Sequence, residues 1–578
     1  MSSKDSCPDS KLNQQMSAEK KGIKELDISE AGLYAYGAIC SLTLAELFPD
    51  PSDHAYNNLC MKMICQHLKM NARNEPVMMY LSEGKSDQSQ QPYIALLMEE
   101  PNLKGKTILV VQDLVLLAVR NGIVSGEYDA RQRVLIRRIS ELLNVPFELI
   151  EFYEHSLVRL LNESQSEQTE AEQHETERRD KIRRIKRYAA IGLATIGGGT
   201  LLGLTGGLAA PFIGAGVGTI LGSASAAALG STAGIAIIGS LFGVAGAGLT
   251  GYKMKKRVGE IEEFEFEPLT LSGYGTVDQQ LHIVIAITGW LNDEEVDNVV
   301  RPWQSLSVSR EQYALRYETK YLIEMGQAFE YILNMAVSVA TQEALKYTIL
   351  SSLISAVAWP ATLLSIASVI DNPWSVCCRR SSEAGKQLAY VLLTRQHGKR
   401  PVTLVGFSLG ARVIYYCLRE MAEIGGGKGI IQDAILLGAP VTNNKTEWEK
   451  CSKVVAGRFV NGYCSGDWLL RFLYRTLSMN SGVAGLFPID CKKVINVDLS
   501  SIVGGHSEYP EKLPELLNFV GLNTKTSQVL DTENGMKKSN SELPCAEKHV
   551  SNLKLSKSDM CLPSKKCLTD EKNTMPSN

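Results

Sequence analysis

Residues 401–423 read PVTLVGFSLGARVIYYCLREMAE, and the reading of this stretch decides the fold of the half of the chain around it. Pro401 to Val405 is a short apolar, β-branched run with the composition of a buried strand. Gly406-Phe-Ser408-Leu-Gly410 follows, and Ala411 to Glu423 then has the character of a helix. G-x-S-x-G between a strand and a helix is the context in which that motif has a mechanical meaning: the serine sits on a strained turn at the carboxyl end of the strand. Gly406 and Gly410 flank it because a Cβ at either position would crowd neighbouring backbone. The backbone N–H of Leu409, at the start of the helix, is then free to face a developing oxyanion. Ser408 is the candidate nucleophile.

Outward from this turn, apolar runs recur. Leu281 to Thr288 reads as a strand running into Gly289-Trp290, and Gln312 to Tyr317 reads as a second. Glu383 to Arg395 reads as the helix that leads into the strand before Ser408. Asp433 to Leu437, Val454 to Tyr463 and Val494 to Leu499 complete the set. Apolar strands alternating with helices predict a mostly parallel sheet with helices on both faces, an α/β fold. Glu260 to Glu267 reads as an acidic link before it. Ala328 to Val376 is a long, mostly apolar interruption, within which Tyr347 to Ile370 carries no charge and is long enough to span a bilayer. It falls between two strands of one sheet, however, and a single crossing would separate strands that must pair. Pro360 also interrupts it. The expectation is a helical lid or membrane-facing cap over Ser408, and the alternative is a helical pair that fills space beside the sheet.

In α/β-hydrolases the partners of the serine follow it in the order acid, then histidine. Only His506 and His549 lie beyond Ser408. His549 sits in a polar tail, whereas His506 lies in a loop just past the last strand. Among the acids, Asp433 begins its strand and Asp490 precedes the last one, so both fall at the wrong end of the sheet, and Asp498 lies within the last strand. Asp467 follows the penultimate strand and is preferred to Asp498, although it also has the position of a helix N-cap before Trp468-Leu-Leu. The second oxyanion donor is expected from the loop after Leu281 to Thr288, at Gly289 or Trp290. With these roles the reaction is hydrolysis of an ester, thioester or amide through an acyl-enzyme, with no cofactor and no metal. Gly425-Gly-Gly-Lys428-Gly has the look of a phosphate loop, but it lacks Ser or Thr after the lysine and follows a helix, so it reads as a surface loop.

The rest of the 578 residues is differently built. Residues 1–27 are polar, without a secretory core, and are expected to be disordered. Residues 28–162 read as a helical N-terminal domain, with Tyr34 to Leu47, Asn57 to Met70, Thr107 to Arg120 and Arg131 to Leu143 as helices and another opening at Pro146. Residues 163–187 run from acidic to basic and read as a solvated charged helix without a sustained coiled-coil seam. Tyr188 to Tyr252 contains no charged residue, and glycine recurs there at four-residue spacing. That pattern predicts a glycine-zipper transmembrane segment, with a hairpin buried in protein as the rival. Basic residues on both flanks predict an even number of crossings, with both termini and the catalytic half cytosolic. The hydrolase domain is expected over 269–522, with the lid insertion at 328–376, and a disordered tail over 523–578. Thirteen scattered cysteines without C-x-x-C spacing fit reduced thiols, and a net charge of −3 gives no reason to expect nucleic acid as a partner.

The layout and the motifs ITGWL, GFSLGAR, LLGAPV, NGYCSGDWLL and GGHSEY resemble the transmembrane and coiled-coil domain-containing protein 4 family, from about Ile28 to Leu522. The resemblance implies an α/β-hydrolase domain, a multi-pass membrane protein, and triad positions at Ser408, Asp467 and His506. The sequence-level expectation is therefore a membrane-attached serine hydrolase acting on acyl or lipid substrates, with membrane lipid as its surroundings. A non-catalytic tether or adaptor on the same scaffold is the alternative.

Overall fold

The computed structural model describes residues 28–125, 127–166, 241–242, 249, 261–269, 279–295, 298–306, 309, 311–342, 364, 367–475 and 482–524. Seven strands form one sheet: β1 (Phe264–Pro268), β2 (Ile283–Ile287), β3 (Glu311–Tyr317), β4 (Val402–Phe407), β5 (Ile431–Leu437), β6 (Phe459–Tyr463) and β7 (Val494–Asp498), in the order β1-β3-β2-β4-β5-β6-β7. All neighbours from β3 to β7 are parallel, and β1 closes one edge antiparallel to β3. The strands β2, β4 and β5 are buried at every residue, which is why they read as continuous apolar runs without alternation. The fold is α/β, with a mostly parallel sheet in the C-terminal half and helices in the N-terminal part.

Two details of the sheet differ from the sequence reading. The acidic link contains β1, whose Phe264 and Phe266 are buried while the intervening Glu265 is half-buried; the segment FEFEP alternates with the period of a half-buried strand. The expected strand from Val454 begins only at Phe459, because residues before it turn around the carboxylate of Asp433: the Arg458 N–H donates to Asp433 Oδ1 at 2.7 Å.

The N-terminal helices are α1 (Glu30–Leu47), α2 (His54–His67), α3 (Glu75–Ser82), α4 (Gln91–Met98), α5 (Ile108–Ser125), α6 (Ala130–Leu142) and α7 (Phe147–Ser166). Helix α1 is buried along most of its length; its N-cap Ser29 accepts the Gly32 N–H, fixing where the helix starts. Helix α6 is capped by Asp129 and lies against the start of β5. There Arg137 makes a two-pronged ion pair with Asp433 (2.7 and 3.0 Å), and Arg133 donates to the Gln432 side chain at 2.8 Å. After β3 the chain enters α8 (Thr319–Gln342), and α9 (Ala367–Leu393) leads back to β4, beginning well before the expected Glu383 and carrying Pro373 inside it. The remaining helices are α10 (Leu409–Ile424), α11 (Lys445–Ser452), α12 (Trp468–Leu473) and α13 (Leu513–Phe519).

Among the described residues no helix is long and apolar enough to cross a membrane. This overturns the expectation of a multi-pass membrane protein with glycine-zipper transmembrane helices, and with it the topology that set both termini on one side. The described end of the charge-free block shows a physical reason. Leu241 and Phe242 are helical and buried with the N-terminal helices, Leu249 is buried in the core of the sheet, and the Arg400 guanidinium lies 5.1 Å from the centre of the Phe242 ring. A charge-free stretch satisfies its apolar demand inside protein as well as in lipid, and glycine spacing marks close backbone approach in either surrounding. The rest of 188–252, the expected charged helix beyond Ser166, residues 343–363 of the expected lid, residues 1–27 and the tail from 525 lie outside the described residues.

Candidate active site

Strand β4 delivers the chain to Ser408, whose backbone turns at φ 51° and ψ −124°, a conformation that residues with a Cβ adopt only under constraint. The constraint is visible on both sides. The Ser408 N–H donates to the Leu437 carbonyl at 2.8 Å, and its own carbonyl accepts the Arg412 N–H at 3.0 Å. Neighbouring backbone closes in so tightly that a Cβ on Gly410 would lie 2.0 Å from the carbonyl oxygen of Ile287. Arg412, one turn along α10, donates through Nε to the Cys378 carbonyl (2.9 Å) and through Nη1 to the Pro440 carbonyl (2.8 Å), tying the turn to α9 and to the loop after β5.

The three residues chosen from the sequence form one hydrogen-bonded chain. Ser408 Oγ lies 2.6 Å from His506 Nε2, and His506 Nδ1 lies 2.6 Å from Asp467 Oδ2. A carboxylate only accepts, so Nδ1 carries the proton and donates, which leaves Nε2 as the acceptor for the serine hydroxyl. His506 follows β7 in a loop that is held by the Gly504 N–H donating to the Glu508 carboxylate at 3.0 Å. Asp467 follows β6 and serves both of the roles open to it. One oxygen meets the imidazole while the other, Oδ1, caps α12 by accepting the Leu470 N–H at 3.0 Å. The other acids are spent elsewhere: Asp498 is exposed and accepts the Ser500 N–H, Asp490 pairs with Lys445, and Asp433 with Arg137. His549 lies outside the described residues.

Gly289 stands directly against the turn, where a Cβ on it would lie 2.6 Å from the Cβ of Ser408 and 3.1 Å from the Leu409 nitrogen. The loop after β2 and the start of α10 therefore border the same space beside Oγ. The Leu291 N–H is taken by the Leu322 carbonyl (3.2 Å), whereas those of Gly289, Trp290 and Leu409 meet no acceptor among the described residues.

The sequence reading missed the aromatic surround. The Trp290 ring stacks on the His506 imidazole at 5.4 Å, and Phe329 of α8 meets the same imidazole edge-on at 5.9 Å. Trp374 of α9 lies 6.4 Å from Phe329, and Tyr509 lies 5.5 Å from His506. Burial, with the nearby Asp467 charge, pushes the Tyr509 phenol well above its ordinary pKa, so it stays neutral. Ser408 and Asp467 are 0% exposed and His506 1%, so the hydrogen-bonded chain is enclosed in this conformation. The signal for Phe329 and Trp374 was their place in the apolar interruption, which names a region and not a contact.

Residues 183–523 match the family described as Protein of unknown function (DUF726). The chain is 46% identical to an uncharacterized membrane protein of Caenorhabditis elegans over 446 residues, covering 76% of this chain and 71% of that protein. It is 41% identical to the transmembrane and coiled-coil domain-containing protein STS1 of Oryza sativa subsp. japonica, covering 69% of this chain and 61% of that one. It is 32% identical to the probable lipase MIL1 of Saccharomyces cerevisiae, covering 74% of this chain and 40% of that one. No solved structure matches the chain.

Proposed function

Because the chain belongs to the family described as Protein of unknown function (DUF726) and has a relative named a probable lipase, we propose that it is a serine hydrolase acting on acyl or lipid substrates. One observation carries the reading: the hydrogen-bonded chain Ser408–His506–Asp467, built on a serine held at positive φ. His506 Nε2 takes the hydroxyl proton as Oγ attacks the carbonyl, and Asp467 holds the tautomer and stabilises the imidazolium. The N–H of Leu409, with that of Trp290 or Gly289, faces the tetrahedral oxyanion. Collapse gives an acyl-enzyme, and water, activated by the same histidine, releases the acid.

The order of the three residues along the sheet, after β4, β6 and β7, supports reading the fold as an α/β-hydrolase. The name of the rice relative supports the resemblance drawn from the five motifs. The aromatic surround supports an apolar acyl group as the part of the substrate next to the serine. In this reading α8 and α9 are a closed cover, and Phe329 and Trp374 swing aside for substrate to enter. A fluorophosphonate probe should label the protein at Ser408, and Ser408→Ala should abolish both labelling and ester hydrolysis while the fold is retained. Undiminished hydrolysis by the Ser408→Ala protein would refute the assignment.

A further inference from the structure

At the far end of the sheet from Ser408, a cleft of about 350 Å³ opens between α6 and the amino-terminal ends of β6 and β7. Helix α6 lines it with Arg131, Arg137 and Arg138; the loops below the strands add Lys428, Lys453, Arg458 and Lys493. Only three carboxylates share the lining, Glu46, Asp53 and Glu141. Part of the positive charge is matched: Arg131 pairs with Asp129 (2.7 Å), Arg138 with Glu46 and Glu141 (2.8 and 3.2 Å), and Lys428 with Asp53 (2.5 Å). The remainder is matched less fully. Arg137 and Arg458 converge on one carboxylate, Asp433, at 2.7 and 3.6 Å. The Arg458 Nε is buried and meets no partner, and no carboxylate pairs with the exposed Lys453 or Lys493 among the described residues.

The close meeting of Arg137 and Asp433 depends on Gly457, where a Cβ would lie 2.5 Å from Asp433 Oδ1 and 2.6 Å from Arg137 Nη2. The guanidinium groups are thus fixed in place before any ligand arrives. The fork of Arg137 is filled by Asp433, but the lining's seven cations meet only five carboxylates, with Asp50 in electrostatic reach of Lys428 and Lys493. The small positive excess that remains at Lys453, Lys493 and Arg458 suits the oxygens of a phosphate. The volume falls at the small end of ligand sites. We propose that this cleft is a binding site for a phosphate-bearing anion, which bridges α6 and the amino-terminal edge of the sheet. Lys428, in the glycine-rich loop that follows α10, contributes to that site.

The test uses the full chain, with inorganic pyrophosphate and a soluble inositol phosphate in titration calorimetry, and flotation on phosphatidylcholine vesicles with and without phosphatidylinositol phosphate. Binding should be saturable and should weaken with added salt. The Lys453→Glu/Lys493→Glu variant should lose about tenfold or more in affinity. Both lysines are exposed, so circular dichroism should show its fold unchanged. Binding of the soluble probes identifies a free phosphate compound; lysine-dependent flotation alone identifies a lipid headgroup. No binding of any probe up to about 1 mM, or equal binding by the variant, overturns the proposal.

Discussion

Replacing Asp467 separates its two jobs, because each of its oxygens has a different partner. In Asp467→Asn the side-chain oxygen can still accept the Leu470 N–H, now at 3.0 Å, so the cap on α12 survives. The amide nitrogen then faces His506 Nδ1, where the carboxylate oxygen stands at 2.6 Å. An NH₂ group only donates, so Nδ1 must become the acceptor and the proton moves to Nε2, facing Ser408 Oγ. The imidazole can no longer take the hydroxyl proton, and the acylation rate should fall by about 10⁴-fold, equivalent to about 5 kcal/mol of transition-state stabilisation. Stability should change by only about 1 kcal/mol. Asp467→Ala loses the cap as well, and so leaves two buried N–H groups, those of Leu470 and of His506 Nδ1, without acceptors, at about 1–3 kcal/mol each, so about 2–6 kcal/mol of stability goes with the activity. The assays are the rate of fluorophosphonate labelling, hydrolysis of a nitrophenyl ester, and urea unfolding of the three proteins. Labelling of Asp467→Asn at the wild-type rate would refute the tautomer argument, and equal destabilisation by both variants would refute the division of labour between the two oxygens.

Gly410→Ala drives a Cβ to 2.0 Å from the backbone oxygen of Ile287, which cannot swing away as a side chain could; a lowered melting temperature together with lost probe labelling is expected, and wild-type values for both would show that the turn is not held as tightly as described. Trp374→Ala should speed labelling of the enclosed Ser408 while costing about 3 kcal/mol of stability, and labelling that slows instead would make Trp374 part of the acyl site and not of its cover. Stability should fall with acid. Burial, followed by the nearby guanidinium of Arg133 for His282 and of Arg395 for His397, holds both imidazoles well below the ordinary value of 6.5. The folded chain therefore binds fewer protons than the unfolded one below that pH. Stability is complete above about pH 6.5 and declines below it by up to about 1.4 kcal/mol per pH unit for each histidine. Urea unfolding between about pH 7.5 and 5.5 should show the decline, and a His282→Gln variant with the same slope as wild type would count against it.

The elbow and its partners were legible because each rests on local chemistry or on chain order. Ser408 announces itself by two glycines between an apolar run and a helix, His506 by elimination, and Asp467 by its place after β6. The Phe329–Trp290–His506 contact was not legible, since it joins α8, the loop after β2 and the loop after β7, and no local pattern carries such a meeting. The strand β1 was present as an alternation of Phe and Glu, outweighed by its acidic composition. The charge-free block misled for a different reason. Composition records that a stretch avoids water; it does not record whether protein or lipid supplies the alternative, and Leu241, Phe242 and Leu249 are supplied by protein.

The polar contacts between α6 and the start of β5, one of them an ion pair, constrain how this chain can change over generations. Arg133 reaches Gln432, Arg137 reaches Asp433, and Gly457 leaves room for the second of these meetings. A recombination event that joined the helical layer to another sheet would strand the half-buried Arg137 guanidinium without its carboxylate, whereas Arg133 would keep Glu154, and the reciprocal product would keep the buried Asp433 with half its partners. Removing one side of such a pair costs about 3–5 kcal/mol, a large share of what holds most proteins folded. The two parts of the chain are thus inherited as a linked pair, and drift in either is confined to steps that the other can tolerate.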